Sequence, residues 1–197
     1  LIAAREGLAL ENVLISNGSN EALYLLASFF VGRRAAVLQP SYGEYARALH
    51  AFGAEVEDVF SLDSAGRADL LILSNPCNPT GAYLPPEELA RFAADHPDTT
   101  LAVDEAYIDF LLTREREGLD LSALPNVLLL RSLTKTYHLS GARIGYVLAG
   151  EGWIRRLGSR QPTWSVNAVA QETVLSFMKD GTCARRTRAF YAAETPR

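Results

Sequence analysis

Apolar runs of strand length alternate along this chain with longer segments in which apolar positions recur every three or four residues. Asn12-Val13-Leu14-Ile15-Ser16 is followed by a predicted helix beginning near Ser19, and Ala35-Ala36-Val37-Leu38-Gln39 by one from about Tyr42. The alternation continues with a strand at Leu70-Leu71-Ile72-Leu73-Ser74 and a helix from Pro85 to about Ala94. Further strands are predicted at Thr100-Leu101-Ala102-Val103, Val127-Leu128-Leu129-Leu130 and Arg143-Ile144-Gly145-Tyr146-Val147-Leu148. Strands that are apolar nearly throughout are buried on both faces. The pattern therefore predicts a three-layer α/β/α architecture with a mostly parallel sheet. Past the last strand the character changes. Ser165 is placed to cap a helix running to about Lys179, Gly181 breaks it, and a basic helical stretch follows through Arg185, Arg186 and Arg188 to the end.

Composition narrows the function classes. With 197 residues, 48% of them hydrophobic, the chain can bury a substantial core. Its net charge of −4 comes from interspersed acids and bases, so no basic stripe points to nucleic acid and no polybasic run to an anionic membrane. The longest apolar runs, such as Leu23 to Val31, are too short to span a bilayer, and no signal peptide opens the chain, which leads to an expectation of a cytoplasmic protein. Cys77 and Cys183 form no disulfide framework and no metal-ligand pair, so both read as free thiols and no metal site is expected. The first residues, Leu1 to Gly7, read as the end of an amphipathic segment rather than a start, as in a fragment.

In sheets of this type ligands bind outside the carboxyl ends of the strands, so residues that follow each apolar run converge on one crevice. After the first strand, Asn17-Gly18-Ser19-Asn20-Glu21 opens a helix whose free N–H groups suit a phosphate; the same residues would serve as a plain helix cap. Tyr42 stands where a ring could cover a flat ligand, or simply pack on its own helix. In Ser74-Asn75-Pro76-Cys77-Asn78-Pro79-Thr80-Gly81 the prolines fix the backbone around the Asn78 amide, although Asn-Pro and Thr-Gly are also ordinary turn chemistry. Asp104 closes an otherwise apolar strand, a costly place for a carboxylate unless a cation pairs with it or it caps the following turn. Tyr107 follows it. Lys135 is flanked by Ser132 and Thr134, with Arg143 further on, and these hydroxyls and guanidinium could share phosphate oxygens.

A strand-end acid and a hydroxyl-flanked lysine together meet the needs of pyridoxal phosphate chemistry. The lysine amine can form a Schiff base with the aldehyde, and the aspartate keeps the ring nitrogen protonated, making the ring an electron sink. The motifs Asn-Pro-Cys-Asn-Pro-Thr-Gly at 75–81, Asp-Glu-Ala-Tyr at 104–107 and Ser-Leu-Thr-Lys at 132–135 with Arg143 resemble those of the class I/II aminotransferases of fold type I. That resemblance, from about Leu10 to Asp180, implies the large pyridoxal-phosphate-binding domain over residues 1–180 and the start of a C-terminal small domain over 181–197. It implies that Lys135 is the Schiff-base lysine, that Asp104 pairs with the pyridine nitrogen, and that Asn78 and Tyr107 bond the ring hydroxyl. Ser19, Asn20, Ser132, Thr134 and Arg143 would hold the phosphate, and Tyr42 would stack on the ring.

Within that family the chain is most similar to the histidinol-phosphate aminotransferase branch, acting on an amino acid or a phosphorylated amine. The threonine-phosphate decarboxylases of cobalamin synthesis are related, and the segments Arg131 to Lys135 and Pro162 to Ala168 lean toward them. Ser140 before Gly141 and Thr136-Tyr137-His138 depart from the usual pattern; His138 is read as structural. The resemblance also implies a homodimer, and it places the groups that grip the substrate carboxylate in an N-terminal arm and a small-domain arginine outside this sequence. A rival class is the pyridoxal-phosphate-sensing, aminotransferase-like domain of a transcription regulator, which a winged-helix segment upstream would favour. A nucleotide-binding α/β domain lacks its motifs here, with no GxGxxG after the first strand and no Walker lysine.

Overall fold

The computed structural model describes residues 1–111 and 124–194. Seven strands, β1 (Val13–Ser16), β2 (Arg34–Leu38), β3 (Glu55–Val59), β4 (Leu70–Ser74), β5 (Thr100–Asp104), β6 (Val127–Ser132) and β7 (Gly145–Ala149), form one sheet. Their order is β1-β7-β6-β5-β4-β2-β3. The pairings from β3 through β6 are parallel, and β7 runs antiparallel to both β6 and β1. The helices are α1 (Ile2–Glu6), α2 (Gly18–Ala27), α3 (Glu44–Ala51), α4 (Pro86–Asp95), α5 (Leu133–Thr136), α6 (Glu151–Arg160), α7 (Ala168–Asp180) and α8 (Thr182–Glu194).

Period-two alternation within the apolar strands sorts side chains into two cores. On one face Leu70 and Ile72 of β4, Leu128 and Leu130 of β6, and Val147 of β7 pack with Leu26, Tyr45, Leu49, Trp153 and Leu157 from α2, α3 and α6. On the other, Leu71, Leu73, Leu129 and Leu148 meet Leu89, Phe92, Leu133, Ala170 and Val174 from α4, α5 and α7. The expected three-layer arrangement with a mostly parallel sheet is what forms.

Four local readings change. β3, Glu55-Val56-Glu57-Asp58-Val59, was not expected; it lies on the sheet edge, where charged residues block pairing with another chain, so it carries no apolar run. α6 also escaped prediction. Its Gly152 and Gly158 dilute the helical signal, yet Trp153, Ile154 and Leu157 are buried. The last strand begins at Gly145 rather than Arg143, which instead takes a left-handed φ of 55° just before it. The cap of α7 is Asn167 rather than Ser165, with its side chain accepting from the Ala170 N–H at 2.8 Å.

Beneath β5 and β6 lies a buried ionic cluster. Arg131 Nε sits 2.6 Å from Glu105 Oε2 and its Nη1 3.7 Å from Glu6 Oε2, while the Tyr146 hydroxyl donates to Glu6 Oε1 at 2.8 Å. Arg5 donates to both Asp109 oxygens at 2.8 and 2.9 Å, and the Thr136 hydroxyl donates to Asp109 Oδ2 at 2.8 Å. α1 is thereby fastened to the strand that carries the lysine turn. Arg131→Ala, which removes the cation between two buried carboxylates, should cost about 3–5 kcal/mol. The readout is the midpoint of urea unfolding, and an unchanged midpoint would contradict the role given to this pair.

Candidate active site

The carboxyl ends of β1, β2, β4, β5 and β6 face one side of the sheet, and because β7 is antiparallel, its amino end opens there too. Each side chain expected from the sequence to serve a site closes or follows one of these ends, or precedes β7. Asp104 is the last residue of β5 and only 7% exposed. Its Oδ1 accepts from the Ala106 N–H at 2.9 Å and its Oδ2 from the Tyr45 hydroxyl at 2.8 Å. Burial raises its carboxyl above the ordinary range, while the bonds from Tyr45 and Ala106 and the charge of Lys135 pull it down again only in part.

Lys135 lies in the single turn of α5, directly after β6, with an exposed side chain. Its Nζ is 5.8 Å from the centre of the Tyr107 ring. The Tyr107 hydroxyl in turn accepts from the Asn78 amide at 3.3 Å, so Asn78, Tyr107 and Lys135 form one rim of the crevice. Tyr42 is half exposed, its ring edge-on to Tyr45 with centres 5.7 Å apart. Burial and the charges of Glu44 and Asp104 raise its phenol, and Arg143 opposes them.

The remaining residues gather at the start of α2. Ser132 and Thr134 share a buried hydroxyl pair at 2.8 Å. Arg143 Nη1 donates to the Ser140 carbonyl at 3.0 Å, and its guanidinium lies over Gly18, where a Cβ would sit 2.7 Å from Nη2. Gly145 brings β7 against the same turn. A Cβ there would lie 2.6 Å from both the Arg131 carbonyl oxygen and the Ser19 nitrogen, so any side chain would push the backbone of this cradle apart. The Asn20 side-chain amide is turned toward Glu44, which leaves Ser19 and Asn20 to offer the unbonded backbone N–H groups of a helix start. Hydroxyls, guanidinium and helix N–H groups converging on one point make a donor set suited to a phosphate.

One residue near this site carries more than the sequence suggested. Nothing in the sequence singles out Tyr45; only its partner, Asp104, sets it apart. His138 Nε2 lies 3.1 Å from the Thr187 hydroxyl, which donates to the Thr136 carbonyl at 3.0 Å, tying α8 to the lysine turn. That contact agrees with a structural histidine. Among the described residues no cluster of His, Cys, Asp or Glu could hold a metal ion, and no helix is long and apolar enough to cross a membrane.

Comparison with known proteins places this geometry. The sequence profile of the family described as aminotransferase class I and II matches residues 5–187. The histidinol-phosphate aminotransferase of Anaeromyxobacter sp. is 32% identical over 212 residues, covering 99% of this chain and 58% of that protein. The crystal structure of L-threonine-O-3-phosphate decarboxylase from Porphyromonas gingivalis superposes with a TM-score of 0.86 at 29% identity, over 94% of this chain and 60% of the other. Histidinol-phosphate aminotransferase from Sinorhizobium meliloti, solved in complex with pyridoxal-5'-phosphate, gives a TM-score of 0.88 at 25% identity over 98% and 56%. The chain thus spans little more than half the length of these relatives.

The charge state of Asp104 has a measurable consequence. A carboxyl with a raised folded value binds its proton more tightly folded than unfolded. Its ionisation therefore costs stability as pH climbs from the ordinary carboxylate range through the folded value, and the loss persists above it. Asp104→Asn should raise the melting temperature of the cofactor-free protein at neutral pH and shrink that advantage in acid. A lower melting temperature at neutral pH would show that the charge is compensated within the protein alone.

Proposed function

Since this chain belongs to the class I and II aminotransferases, we propose that it is the cofactor-binding part of a histidinol-phosphate-aminotransferase-like enzyme. It would transfer an amino group to or from an amino acid or phosphorylated amine with pyridoxal 5'-phosphate. The observation that carries this reading is the pairing, across one crevice, of the buried Asp104 carboxylate with the exposed Lys135 amine, beside the donor cluster at the start of α2. Residues 1–180 would form the large domain and 181–197 the beginning of the small one. The parent protein is proposed to be a cytoplasmic homodimer. An apolar groove of about 640 Å³, lined by Leu1, Leu10, Val13, Trp164, Leu175 and Met178, is a surface that such an assembly would cover.

The donor set fits the cofactor group by group. Asp104 would hold the ring nitrogen, Asn78 and Tyr107 the ring hydroxyl, and Tyr42 would cover the ring face. Ser19, Asn20, Ser132, Thr134 and Arg143 would hold the phosphate, and Lys135 would carry the cofactor covalently. When bound, pyridoxal phosphate supplies an electron sink that weakens the bonds at the substrate's α carbon. The chain's own contribution is to orient and to move protons. Lys135, as a free amine, would take the substrate's α proton and give it up again to the cofactor rather than to the same carbon, with Tyr107 beside that amine. The reaction branches on which substrate bond is aligned. Decarboxylation is the second reading, favoured by the 29% identity to the threonine-phosphate decarboxylase.

The test uses the full-length protein. Borohydride treatment after incubation with pyridoxal phosphate should add the cofactor's mass to the peptide carrying Lys135, and Lys135→Ala should abolish the adduct; an adduct surviving that change overturns the assignment. With histidinol phosphate and 2-oxoglutarate, glutamate should form, whereas CO₂ release from threonine phosphate instead would select the decarboxylase. Sedimentation should give a dimer, and a species that stays monomeric at micromolar concentration would sink that part.

A further inference from the structure

Tyr45 sits on α3, 1% exposed, with its ring among the apolar side chains of the core shared by α2, α3 and α6. A core tyrosine can satisfy its hydroxyl on any nearby carbonyl. This one donates to Asp104 Oδ2 at 2.8 Å, the buried carboxylate at the heart of the crevice. Asp104 Oδ1 is held separately by the Ala106 N–H at 2.9 Å. Each oxygen thus accepts from a different element, one a helix packed on the sheet and the other the turn after β5. Rotating the carboxylate plane would break both bonds at once. The phenol remains a donor under all ordinary conditions, because burial and the neighbouring Asp104 charge push its ionisation far upward.

We propose that Tyr45 is the positioning residue of this site: its hydroxyl fixes the plane of the Asp104 carboxylate and keeps the negative charge available to a protonated ring nitrogen in the crevice. The inference rests on the pyridoxal phosphate reading above. Tyr45 touches no substrate and acts only through Asp104. Tyr42 packs edge-on against the same ring, and the Ser74 side chain also reaches the Tyr45 hydroxyl. Removing the hydroxyl leaves the ring packing in place but withdraws a hydrogen bond from a buried carboxylate, so Asp104 should keep its proton to higher pH.

The experiment compares full-length wild type, Tyr45→Phe, Asp104→Asn and the double variant by titrating each apoprotein with pyridoxal phosphate across a pH series. Tyr45→Phe should weaken the cofactor about tenfold near neutrality, the effect of losing one hydrogen bond to a charged group. The acid limb of its affinity profile should move to higher pH. The double variant should bind no more weakly than Asp104→Asn alone, since Tyr45 has no effect without its partner. A wild-type profile for Tyr45→Phe overturns the inference and leaves the cofactor reading standing. A uniform loss at every pH that adds to that of Asp104→Asn also overturns it, because packing alone would give that result. If wild type neither binds pyridoxal phosphate nor yields the Lys135 adduct, the cofactor reading itself is wrong.

Discussion

Asp104 carries its charge at the end of a strand whose other residues are all buried, on the sheet's central line, where water cannot solvate it. Desolvation at such a place costs several kcal/mol unless donors or a cation compensate. Two donors are built in, one from α3 through Tyr45 and one from the turn through Ala106. They compensate only in part, since the carboxyl stays above its ordinary range. Lys135 adds its charge from nearby, and a positively charged ligand group in the crevice would contribute the rest. Structure and ligand chemistry are therefore linked through one ion.

The sheet explains why the other groups surround that ion. Parallel strands put their carboxyl ends on one side, and the single reversed strand, β7, adds its amino end to the same side. Arg143 thus reaches α2 from a direction no parallel strand could supply, and Gly145 lets the two backbones meet with no side chain between them. The phosphate site proposed from a helix start, the Ser132 and Thr134 hydroxyls and the Arg143 guanidinium would depend on this reversal.

Much of this was legible in the sequence, for physical reasons. Asp104 stands out because a carboxylate closing an apolar strand is expensive and calls for a partner, and Lys135 because hydroxyls flank it. The two core faces followed from continuous apolar strands. What stayed hidden were features whose signal depends on a neighbour. Tyr45 has the helical spacing of a core residue, and nothing in its sequence surroundings says where its hydroxyl points. β3 looks polar because an edge strand must. Ser165 and Asn167 are both competent caps, and the choice between them rests on which side chain meets the Ala170 N–H. Arg143 read as strand because its left-handed backbone leaves no trace in residue type.

The fastening of α1 beneath the lysine turn bears on how the protein is made. Arg5 meets Asp109 and Tyr137 across separations of 104 and 132 residues. Of the helices described, α1 leaves the ribosome first, yet its partners Asp109, Arg131 and Tyr137 are synthesised only after β5. During that interval Arg5 and Glu6 remain hydrated, and contacts between such distant segments close slowly. A nascent chain that has emerged only as far as β5 therefore still lacks the contacts that fasten α1 beneath the turn bearing Lys135.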